Sequence, residues 1–423
     1  MAEKTPNQQL AEKLLYKPAY VADKDADVKQ KAHDFAEGYK KFLDAGKTER
    51  EVAAESEQML KDAGYQQFDP KKTYKPGDKI YFVQYNKAVV ASTIGTKSFE
   101  DGFHLVIAHT DSPRLDLRPT PLYESDHLSY FKTHYYGGVR KYQWVTIPLE
   151  LRGPVVLRDG SVVDVCIGEG SEPKLVITDL LPHLGAEQGK KPLNEAIAGE
   201  TLNILLGSRP LGDDEDSDRV KLQVLKRLYD KYGITEADFA SAELETVPAV
   251  NATDIGLDAS LIGAYGHDDR VCGFAALQAL LDIGTPEKTA VCVLADKEEI
   301  GSMGVTGMQS AAFDTFMNDL CDSQNVALRV CYENAFCLSA DVTAAYDPNF
   351  ADVYEKRNAA FLNHGVGLCK YTGARGKSGS SDANAETVGY VRGVLDKAGV
   401  RWQICEMGKI DAGGGGTVAQ YMA

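Results

Sequence analysis

Acidic side chains and one histidine follow three apolar segments of the sequence, at the point where each segment ends. His109 and Asp111 follow the first segment. Glu298 and Glu299 follow the second, and Asp341 follows the third. Because ligand sites in open α/β sheets form at the carboxyl ends of strands, we expect these side chains to lie close together. One imidazole and several carboxylates suit zinc, cobalt or manganese, so the pattern predicts a site for divalent metal ions.

A fourth group, HDDR at residues 267–270, immediately precedes an amphipathic helix that we predict from Val271. Two cations about 3.5–4 Å apart can polarise a peptide carbonyl and lower the pKa of a water toward about 7. A carboxylate that bridges the ions holds this spacing. Of two adjacent glutamates, one can bind metal while the other accepts the proton of the water. An aspartate two residues after a histidine can orient its ring. These features predict metal-dependent hydrolysis.

Each residue taken alone has an ordinary structural explanation. His109 could be a hydrogen-bonded core histidine, and Asp268 could be a helix N-cap. The pair Glu298 and Glu299 could form a solvated turn, and Asp341 could bind loop amides. Their joint placement at strand ends favours the metal site.

The elements that must position these residues alternate between helices and buried strands. Apolar spacing predicts helices in residues 26–64, and short apolar runs at 79–84, 88–93 and 104–109 predict strands. Between residues 120 and 250, β-branched runs broken by glycine and proline predict a mostly antiparallel unit. The helix and strand alternation then returns. We therefore predict a mixed-sheet α/β domain of residues 1–119 and 251–423, interrupted by a β-rich insertion of residues 120–250.

Composition excludes several classes of function. The chain has 423 residues and a net charge of −16, which argues against a nucleic-acid partner. No apolar run approaches the roughly 18 residues of a membrane span, and the polar N-terminal segment has no signal-peptide core. We therefore expect a cytoplasmic protein that binds no membrane. The eight cysteines form no C-x-x-C pair, so we predict neither a structural zinc site nor a disulfide framework.

Five motifs occur in a specific order: AHTDSPRLDLRP, YGHDDRVCGFAALQAL, ADKEEIGSMG, SADVTAAYDPNF and GGGGTVAQ. In this order they resemble the aspartyl aminopeptidase family, peptidase family M18, and a bacterial-type member in particular. The resemblance runs from about residue 80 to the end and includes a YGG turn and the segment LPHL. It implies an α/β metallopeptidase fold and a dinuclear metallo-aminopeptidase that hydrolyses the N-terminal residue of peptides.

The resemblance also implies a ligand set for two divalent ions. His109 and Asp341 would bind one ion, Asp268 would bridge the two, and Glu299 would bind the second. Zn²⁺ is the expected metal, with Co²⁺ or Mn²⁺ as alternatives. Glu298 would be the general base.

Further roles follow from the same resemblance. Asp111 would orient His109. His183, in LPHL, is similar to the family histidine that reaches a neighbouring subunit's site to stabilise the tetrahedral intermediate; a surface loop residue is the alternative. The family implies dimers assembled into a tetrahedral dodecamer, with the β-rich insertion making the dimer contacts.

Three residues are candidates for substrate binding. Lys377 is similar to the family lysine that meets an acidic substrate side chain, although it could also be a loop cation. It favours an acidic N-terminal residue over a neutral one. Lys409 and Asp411 lie beside the glycine-rich run, where we expect the main chain to approach the substrate closely.

One departure from the family pattern leaves two other functions open. Members of the family carry a second histidine ligand shortly after the glycine-rich run, whereas the last histidine of this chain is His364. We interpret this as a sequence that stops short at Ala423; a real loss would weaken the ion at Glu299. The alternatives are a related tetrahedral aminopeptidase of glutamyl or leucyl specificity, and a catalytically silent or weak oligomeric shell protein with an incomplete metal site.

Overall fold

The structure is a computed structural model that describes residues 4–16, 20–21, 26–212, 218–377 and 379–422. The chain divides into two compact units. The larger unit is Gly38–Ala340, and the smaller unit combines Met1–Glu37 with Asp341–Ala423. This division into two units does not test the predicted boundaries of the insertion at residues 120 and 250, which stay a prediction.

The helices and strands are numbered separately, each in chain order. The helices are α1 (Pro6–Leu14), α2 (Ala26–Ala45), α3 (Glu49–Asp62), α4 (Leu193–Ala196), α5 (Arg219–Tyr232), α6 (His267–Asp282), α7 (Ala312–Ser323), α8 (Leu328–Glu333) and α9 (Ala385–Lys397). The strands are β1 (Gln66–Gln67), β2 (Lys79–Gln84), β3 (Ala88–Thr93), β4 (Phe103–His109), β5 (Arg114–Ser125), β6 (Leu128–Tyr136), β7 (Leu149–Val156), β8 (Val162–Ile167), β9 (Val176–Ile177), β10 (Ile204–Gly207), β11 (Glu245–Pro248), β12 (Thr253–Ile255), β13 (Leu261–Gly263), β14 (Thr289–Ala295), β15 (Phe336–Ser339), β16 (Val366–Leu368), β17 (Trp402–Ile404), β18 (Gly408–Lys409) and β19 (Ala412–Gly413).

A six-stranded mixed sheet forms the centre of the larger unit, in the order β1-β2-β3-β14-β4-β15. Strand β14 runs parallel to β4 and antiparallel to β3, and β15 runs parallel to β4. All seven residues of β14 are buried, because its apolar run is covered on both faces. The prediction of a mixed-sheet α/β fold is confirmed.

Helices cover both faces of this sheet. Helix α3 begins at a capping box, in which Thr48 and Glu51 satisfy each other's free amides. It packs with α6 on one face, where the buried residues include Ala53, Leu60, Leu277, Leu280, Cys292 and Leu294. On the opposite face, the Phe316 ring of α7 lies 4.8 Å from that of Phe68 and 5.3 Å from that of Phe82, centroid to centroid. Because helices pack on both faces of the sheet, the ends of its strands are held in fixed positions.

A seven-stranded antiparallel sheet, in the order β8-β7-β11-β5-β6-β10-β9, forms the second layer of the larger unit. Its core contains side chains that alternate along the strands, together with Leu228 of α5. The core residues include Leu115, Phe131, Leu149, Leu151, Leu202 and Ile204. The antiparallel pairing agrees with the short strands predicted in this part of the sequence. Because β6 ends at Tyr136, the YGG turn directly follows the carboxyl end of this strand.

The described residues of the smaller unit form short paired strands, helices α1 and α9, and the first part of α2. Strands β16 and β17 pair in parallel, and β18 and β19 form a hairpin. Asn384 is the N-cap of helix α9, and its side chain accepts the N–H of Thr387 at 2.8 Å. The ring of Tyr16 stacks on that of Trp402, with 5.2 Å between centroids. Among the described residues of the whole chain, no helix has the length and apolar character to cross a membrane.

Candidate metal centre

Three parallel strands of the mixed sheet bring the predicted residues to one edge. Strand β4 ends at His109, which lies opposite Ala295 at the end of β14. On the other side of β4, Ala340 donates its N–H to the carbonyl of Ile107 at 2.8 Å. Asp341 is the next residue of the chain. The carboxyl ends of these strands therefore meet, as the sequence predicts.

The imidazole of His109 is buried and makes polar contacts through both ring nitrogens. Nδ1 lies 3.0 Å from the main-chain oxygen of Asp111, and Nε2 lies 3.1 Å from Oδ1 of Asp268. Nε2 also lies 3.9 Å from Oε2 of Glu298. Burial lowers the pKa of His109, but hydrogen bonds to the carboxylates of Asp111 and Asp268 outweigh burial and raise it well above the usual value. The pocket thus stabilises positive charge at the position of Nε2.

The fully buried carboxylate of Asp111 accepts three hydrogen bonds. The Tyr136 hydroxyl donates to Oδ2 at 2.7 Å. The N–H of Glu298 donates to Oδ1 at 3.1 Å, and that of Glu299 donates to Oδ2 at 3.2 Å. Asp111 therefore links the His109 ring to the turn that carries both glutamates. Tyr136 was missed as a site residue, although the YGG turn that it begins was visible in the sequence.

The start of α6 departs from a regular helix at the acidic pair. The helix is assigned from His267, four residues before the predicted start, but Asp268 and Asp269 have non-helical main-chain angles and are joined by a cis peptide. The Ser112 hydroxyl donates to the carbonyl of Asp268 at 2.8 Å. This irregular start directs the Asp268 side chain toward His109 instead of leaving it at an ordinary N-cap.

Arg270 links the same helix start to the end of β4 and to the loop between α2 and α3. Its guanidinium is almost completely buried and donates to three main-chain carbonyls, those of Thr110 at 3.0 Å, Gly46 at 2.9 Å and Lys47 at 3.2 Å. The Thr110 carbonyl directly follows His109 in the chain. Arg270 therefore fixes the position of the acidic pair relative to the end of β4. No sequence pattern indicates this contact, because its partners lie 160 and 224 residues away.

The glutamate turn, Glu298–Ile300, is a single turn of 3-10 helix that follows β14. Burial raises the pKa of Glu299 to about 7, and the negative charge of Asp268 adds to the rise. Gly137 lies against this turn: a Cβ at that position would be 3.1 Å from the Cβ of Glu299 and 3.2 Å from its Oε2. The YGG turn therefore forms one wall of the space around Glu299.

The arrangement of donors fits a divalent cation. Among the described residues of the larger unit, His109 Nε2 lies 3.1 Å from Oδ1 of Asp268 and 3.9 Å from Oε2 of Glu298, so one nitrogen and two carboxylates face a common point. The carboxylates of Glu298 and Glu299 add further negative charge beside Asp268. A raised carboxylate pKa is the expected result of such crowding when no cation neutralises it. The hard oxygen donors and one imidazole suit zinc, cobalt or manganese.

The remaining candidate residues are exposed. His183 is exposed between β9 and α4 of the larger unit. In the smaller unit, Lys377 forms an ion pair with Asp382 at 3.0 Å. Lys409, at the end of β18, and Asp411, in the turn after it, are both exposed. Their predicted parts in substrate binding stay predictions.

Comparisons with known proteins agree with this geometry. Residues 42–423 match the family model described as "Aminopeptidase I zinc metalloprotease (M18)". A "Probable M18 family aminopeptidase 1" of Clostridium acetobutylicum is 46% identical, over 99% of this chain and 91% of that protein.

Two solved structures extend the comparison to the fold. The crystal structure of an M18 family aminopeptidase from Thermotoga maritima matches with a TM-score of 0.90 and 40% identity, covering 96% of this chain and 90% of that one. The S. cerevisiae mApe1 dodecamer matches with a TM-score of 0.71 and 21% identity, covering 90% and 86%, a likeness of fold alone. The match of the family model over most of the sequence, and the identity to bacterial relatives over nearly their full length, establish that this chain belongs to the M18 family of peptidases.

Proposed function

We propose that this protein is a zinc-dependent aminopeptidase that uses two divalent ions to remove the N-terminal residue of peptides. The observation that carries the proposal is the position of the His109 imidazole, whose Nε2 lies 3.1 Å from Asp268 and 3.9 Å from Glu298 at the ends of parallel strands. The description of the matching family as a zinc metalloprotease supports the choice of zinc. Co²⁺ and Mn²⁺ are alternatives with similar ligand preferences.

We assign the ligands as the family resemblance implies. His109 and Asp341 would hold one ion, Glu299 would hold the second, and Asp268 would be shared by both. The 3.1 Å distance between His109 Nε2 and Asp268 Oδ1 supports the first half of this set, to which the resemblance adds Asp341. The pKa of Glu299, raised to about 7 by burial and by Asp268, supports the second half, because a cation between the two carboxylates would relieve their repulsion.

The side chains around the ligands perform the proton transfer and the positioning. When bound, the ions polarise the scissile carbonyl and lower the pKa of a water. The Glu298 carboxylate accepts the proton of that water and passes it to the leaving amine. Asp111 holds the ring of His109 in place and, through the N–H groups of Glu298 and Glu299, fixes the turn that presents both carboxylates.

Substitution of Glu298 by glutamine tests the assignment of the base. Glutamine keeps the size of the side chain but cannot accept a proton, so we expect turnover to fall by about 10²–10⁴-fold. Zinc content, measured by elemental analysis, is expected to stay at two equivalents per chain. The matched variant Glu299→Gln is expected to lose the second equivalent as well as turnover. Wild-type turnover in Glu298→Gln would refute the base, and at most one equivalent in the wild type would favour the silent shell protein.

We propose that the enzyme prefers acidic N-terminal residues through Lys377. This lysine already binds a carboxylate, that of Asp382, and its Nζ lies 3.8 Å from the centre of the Tyr371 ring. A substrate carboxylate could replace Asp382 without moving the cation far. Lys409 and Asp411 are proposed as further contacts to the substrate.

A panel of aspartyl, glutamyl, leucyl and lysyl anilides tests this specificity. We expect Lys377→Met to reduce kcat/KM for the acidic substrates and to leave the leucyl anilide nearly unaffected. Lys370→Met is the matched control, because Lys370 also pairs with Asp382, at 3.2 Å. A wild-type preference for leucyl or lysyl anilides would contradict acidic specificity.

We also propose that the protein self-associates into dimers and a tetrahedral dodecamer. The resemblance assigns the dimer contacts to the insertion, residues 120–250, within a catalytic domain of residues 1–119 and 251–423. His183 then acts in the site of a neighbouring subunit. The dodecamer of the distantly related S. cerevisiae mApe1 is compatible with this assembly. A cytoplasmic location and the absence of nucleic-acid and membrane partners stay predictions of the sequence.

A further inference from the structure

Two cysteines of the smaller unit lie opposite each other on neighbouring strands. Strands β16 and β17 pair in parallel, with Leu368 opposite Ile404 as the last pair of the ladder. The ladder continues by one hydrogen bond, from the N–H of Cys405 to the carbonyl of Leu368 at 3.3 Å. Cys369 and Cys405 are therefore the next opposing pair.

The spacing of this pair suits a disulfide bond. Neighbouring strands lie about 4.7–4.9 Å apart. A disulfide forms when two Cα atoms are about 4.4–6.8 Å apart and the side chains point the same way. The N–H of Cys405 binds the carbonyl that directly precedes Cys369, so the main chains of the two residues lie side by side. Residues opposite each other on paired strands place their side chains on the same face, which satisfies the second condition. The Cys369 thiol donates to the carbonyl of Tyr371 at 2.8 Å. Interaction between the two thiols raises the pKa of Cys369 and lowers that of Cys405.

The two thiols differ in their access to solvent. Cys369 is exposed, whereas Cys405 is 2% exposed. An oxidant can therefore reach Cys369 first, and Cys405 is held behind it in position to react second. An exposed thiol beside a resolving thiol is the usual arrangement of a redox-sensitive site.

We propose that Cys369 and Cys405 form a reversible thiol–disulfide site that reacts with low-molecular-weight disulfides. The Cys369 thiolate attacks one sulfur of the small disulfide, which leaves a mixed disulfide on Cys369 and releases one small thiol. The Cys405 thiolate then attacks the sulfur of Cys369 and releases the second small thiol. The two protein thiols lose two protons and two electrons in total, and the small disulfide gains them as it becomes two small thiols.

The new bond would restrain the segment that starts at Cys369. This segment runs through Lys377 and returns alongside itself, where Ala383 donates its N–H to the carbonyl of Lys370 at 2.8 Å and Tyr371 bridges to Asp382. A disulfide would fix the start of the segment to the end of β17. Closing this contact covalently would reduce the opening of residues 371–377 and 379–382, which we expect to slow their proteolysis.

A second pair of cysteines provides an internal control. Cys321 of α7 and Cys331 of α8 also shift the pKa of each other's thiol, but both are completely buried. No small disulfide can reach them in the folded protein. Proximity alone therefore predicts reaction at both pairs, whereas the proposed site predicts reaction at Cys369 and Cys405 only.

The test uses the full chain, oxidised glutathione, and peptide mapping after alkylation. We expect a linked Cys369–Cys405 peptide, reversed by dithiothreitol, with Cys321 and Cys331 alkylated only after denaturation. The variant Cys405→Ala should retain glutathione on Cys369, and Cys369→Ala should remain unmodified. If Cys405→Ala does not fold, the exposed Cys369→Ala variant and the wild type still decide the matter. A wild type that keeps both thiols free, or stops at the mixed disulfide, would overturn the proposal.

Limited trypsin digestion supplies a second readout that needs no peptidase turnover. Cleavage after Arg375, within the restrained segment, should be slower in the oxidised wild type than in the reduced protein. Oxidant should not change the rate in Cys369→Ala. Equal cleavage rates for oxidised and reduced wild type would show that the disulfide does not restrain this segment. Both readouts are independent of the proposed aminopeptidase activity.

Discussion

Asp111 connects the histidine of the metal centre to the turn that carries the glutamates. Its carboxylate accepts hydrogen bonds from one phenol and two main-chain N–H groups, and its main-chain oxygen contacts His109. Hydrogen bonds to an ionised and fully buried acceptor are stronger than those between neutral groups. A loss of any one donor is therefore expected to move both His109 and the glutamate turn.

Removing the Tyr136 hydroxyl tests this connection. In Tyr136→Phe, Oδ2 of the buried Asp111 loses its shortest hydrogen bond, of 2.7 Å, while the ring is kept. We expect a stability loss of about 1–3 kcal/mol in urea denaturation. We also expect zinc affinity, measured by chelator competition, to fall by about 10–100-fold. Tyr135→Phe is the control, because Tyr135 is half-exposed at the preceding position. Equal zinc affinity in the two variants would show that Tyr136 does not position the ligands.

Glu299 predicts how the stability of the metal-free protein depends on pH. Its pKa is raised from the usual value of 4.5 to about 7 in the folded protein, so the folded state binds more protons than the unfolded state between these values. Stability should therefore fall as pH rises from 4.5 to about 7 and lose nothing more from this group above that range.

Ionisation of Glu299 has the opposite effect on zinc binding from its effect on the stability of the metal-free protein. A carboxylate binds metal in its ionised form, so zinc affinity should rise over the pH range in which stability falls. Urea midpoints in chelator and zinc titrations across this range measure the two trends. Glu299→Gln should reduce the pH dependence of both stability and zinc affinity. Glu187→Gln, at an exposed position, should change neither. An unchanged stability slope in Glu299→Gln would assign the titration to another group.

At the scale of elements, we expect the turn after β6 to require glycine at position 137. Gly137 has a φ of +69°, and a Cβ there would press on Glu299 at 3.1 Å. We expect Gly137→Ala to cost about 1–2 kcal/mol from the left-handed main chain. It should also lower zinc binding and turnover by displacing Glu299.

The neighbouring Gly138→Ala is a closely matched control for the same turn. Gly138 has no atom within 4 Å of its Cβ position and does not have the positive φ of its neighbour. Stability, zinc content and turnover should therefore remain close to those of the wild type. If Gly137→Ala also retained wild-type turnover, the YGG turn would not shape the space around Glu299.

The elements that the sequence predicted well are those whose environment is local. The strand segments 79–84 and 88–93 coincide with β2 and β3, because short apolar runs between turns define such strands. The start of α6 was less predictable: Val271 was expected to begin the helix, and the assigned helix begins at His267. Asp268 and Asp269 depart from helical angles there through tertiary contacts, which periodicity does not contain.

The contacts that complete the site could not be predicted, because they join distant parts of the chain. The phenol of Tyr136 reaches a carboxylate 25 residues earlier. The guanidinium of Arg270 reaches carbonyls of Gly46 and Lys47. A single sequence that is read without an alignment carries no signal for such pairs. The buried polar groups must nevertheless find partners once the fold forms. The strand ends were predictable; the residues that hold them in register were not.

At the scale of the whole molecule, the proposed assembly makes each site depend on two subunits. His183 is exposed between β9 and α4. An exposed imidazole has no structural role to explain it within the described part of its own unit, but a donor from a neighbouring subunit could stabilise the developing oxyanion. A change at His183 should therefore impair the neighbour's site and leave the zinc content of its own site unchanged.

Subunit mixing provides the sharpest test of shared sites. We expect His183→Ala alone to lower turnover by about 10²–10³-fold, as when one oxyanion donor is removed, with two equivalents of zinc retained. Glu298→Gln alone should also be inactive. When the two variants are dissociated and reassembled together, a subunit with an intact Glu298 can receive His183 from its Glu298→Gln neighbour. Turnover should then exceed that of either variant.

The mixing experiment separates action in trans from a general loss of structure. His33→Ala, at an exposed position of α2, is the control variant and should be active without mixing. Mixed assemblies must have the same size as the wild type by light scattering, because recovery requires contact between the two variants. Recovery shows that intact groups from different chains meet in one site. If mixed and separate variants had the same low turnover at full assembly, His183 would act within its own chain or have no part in the reaction.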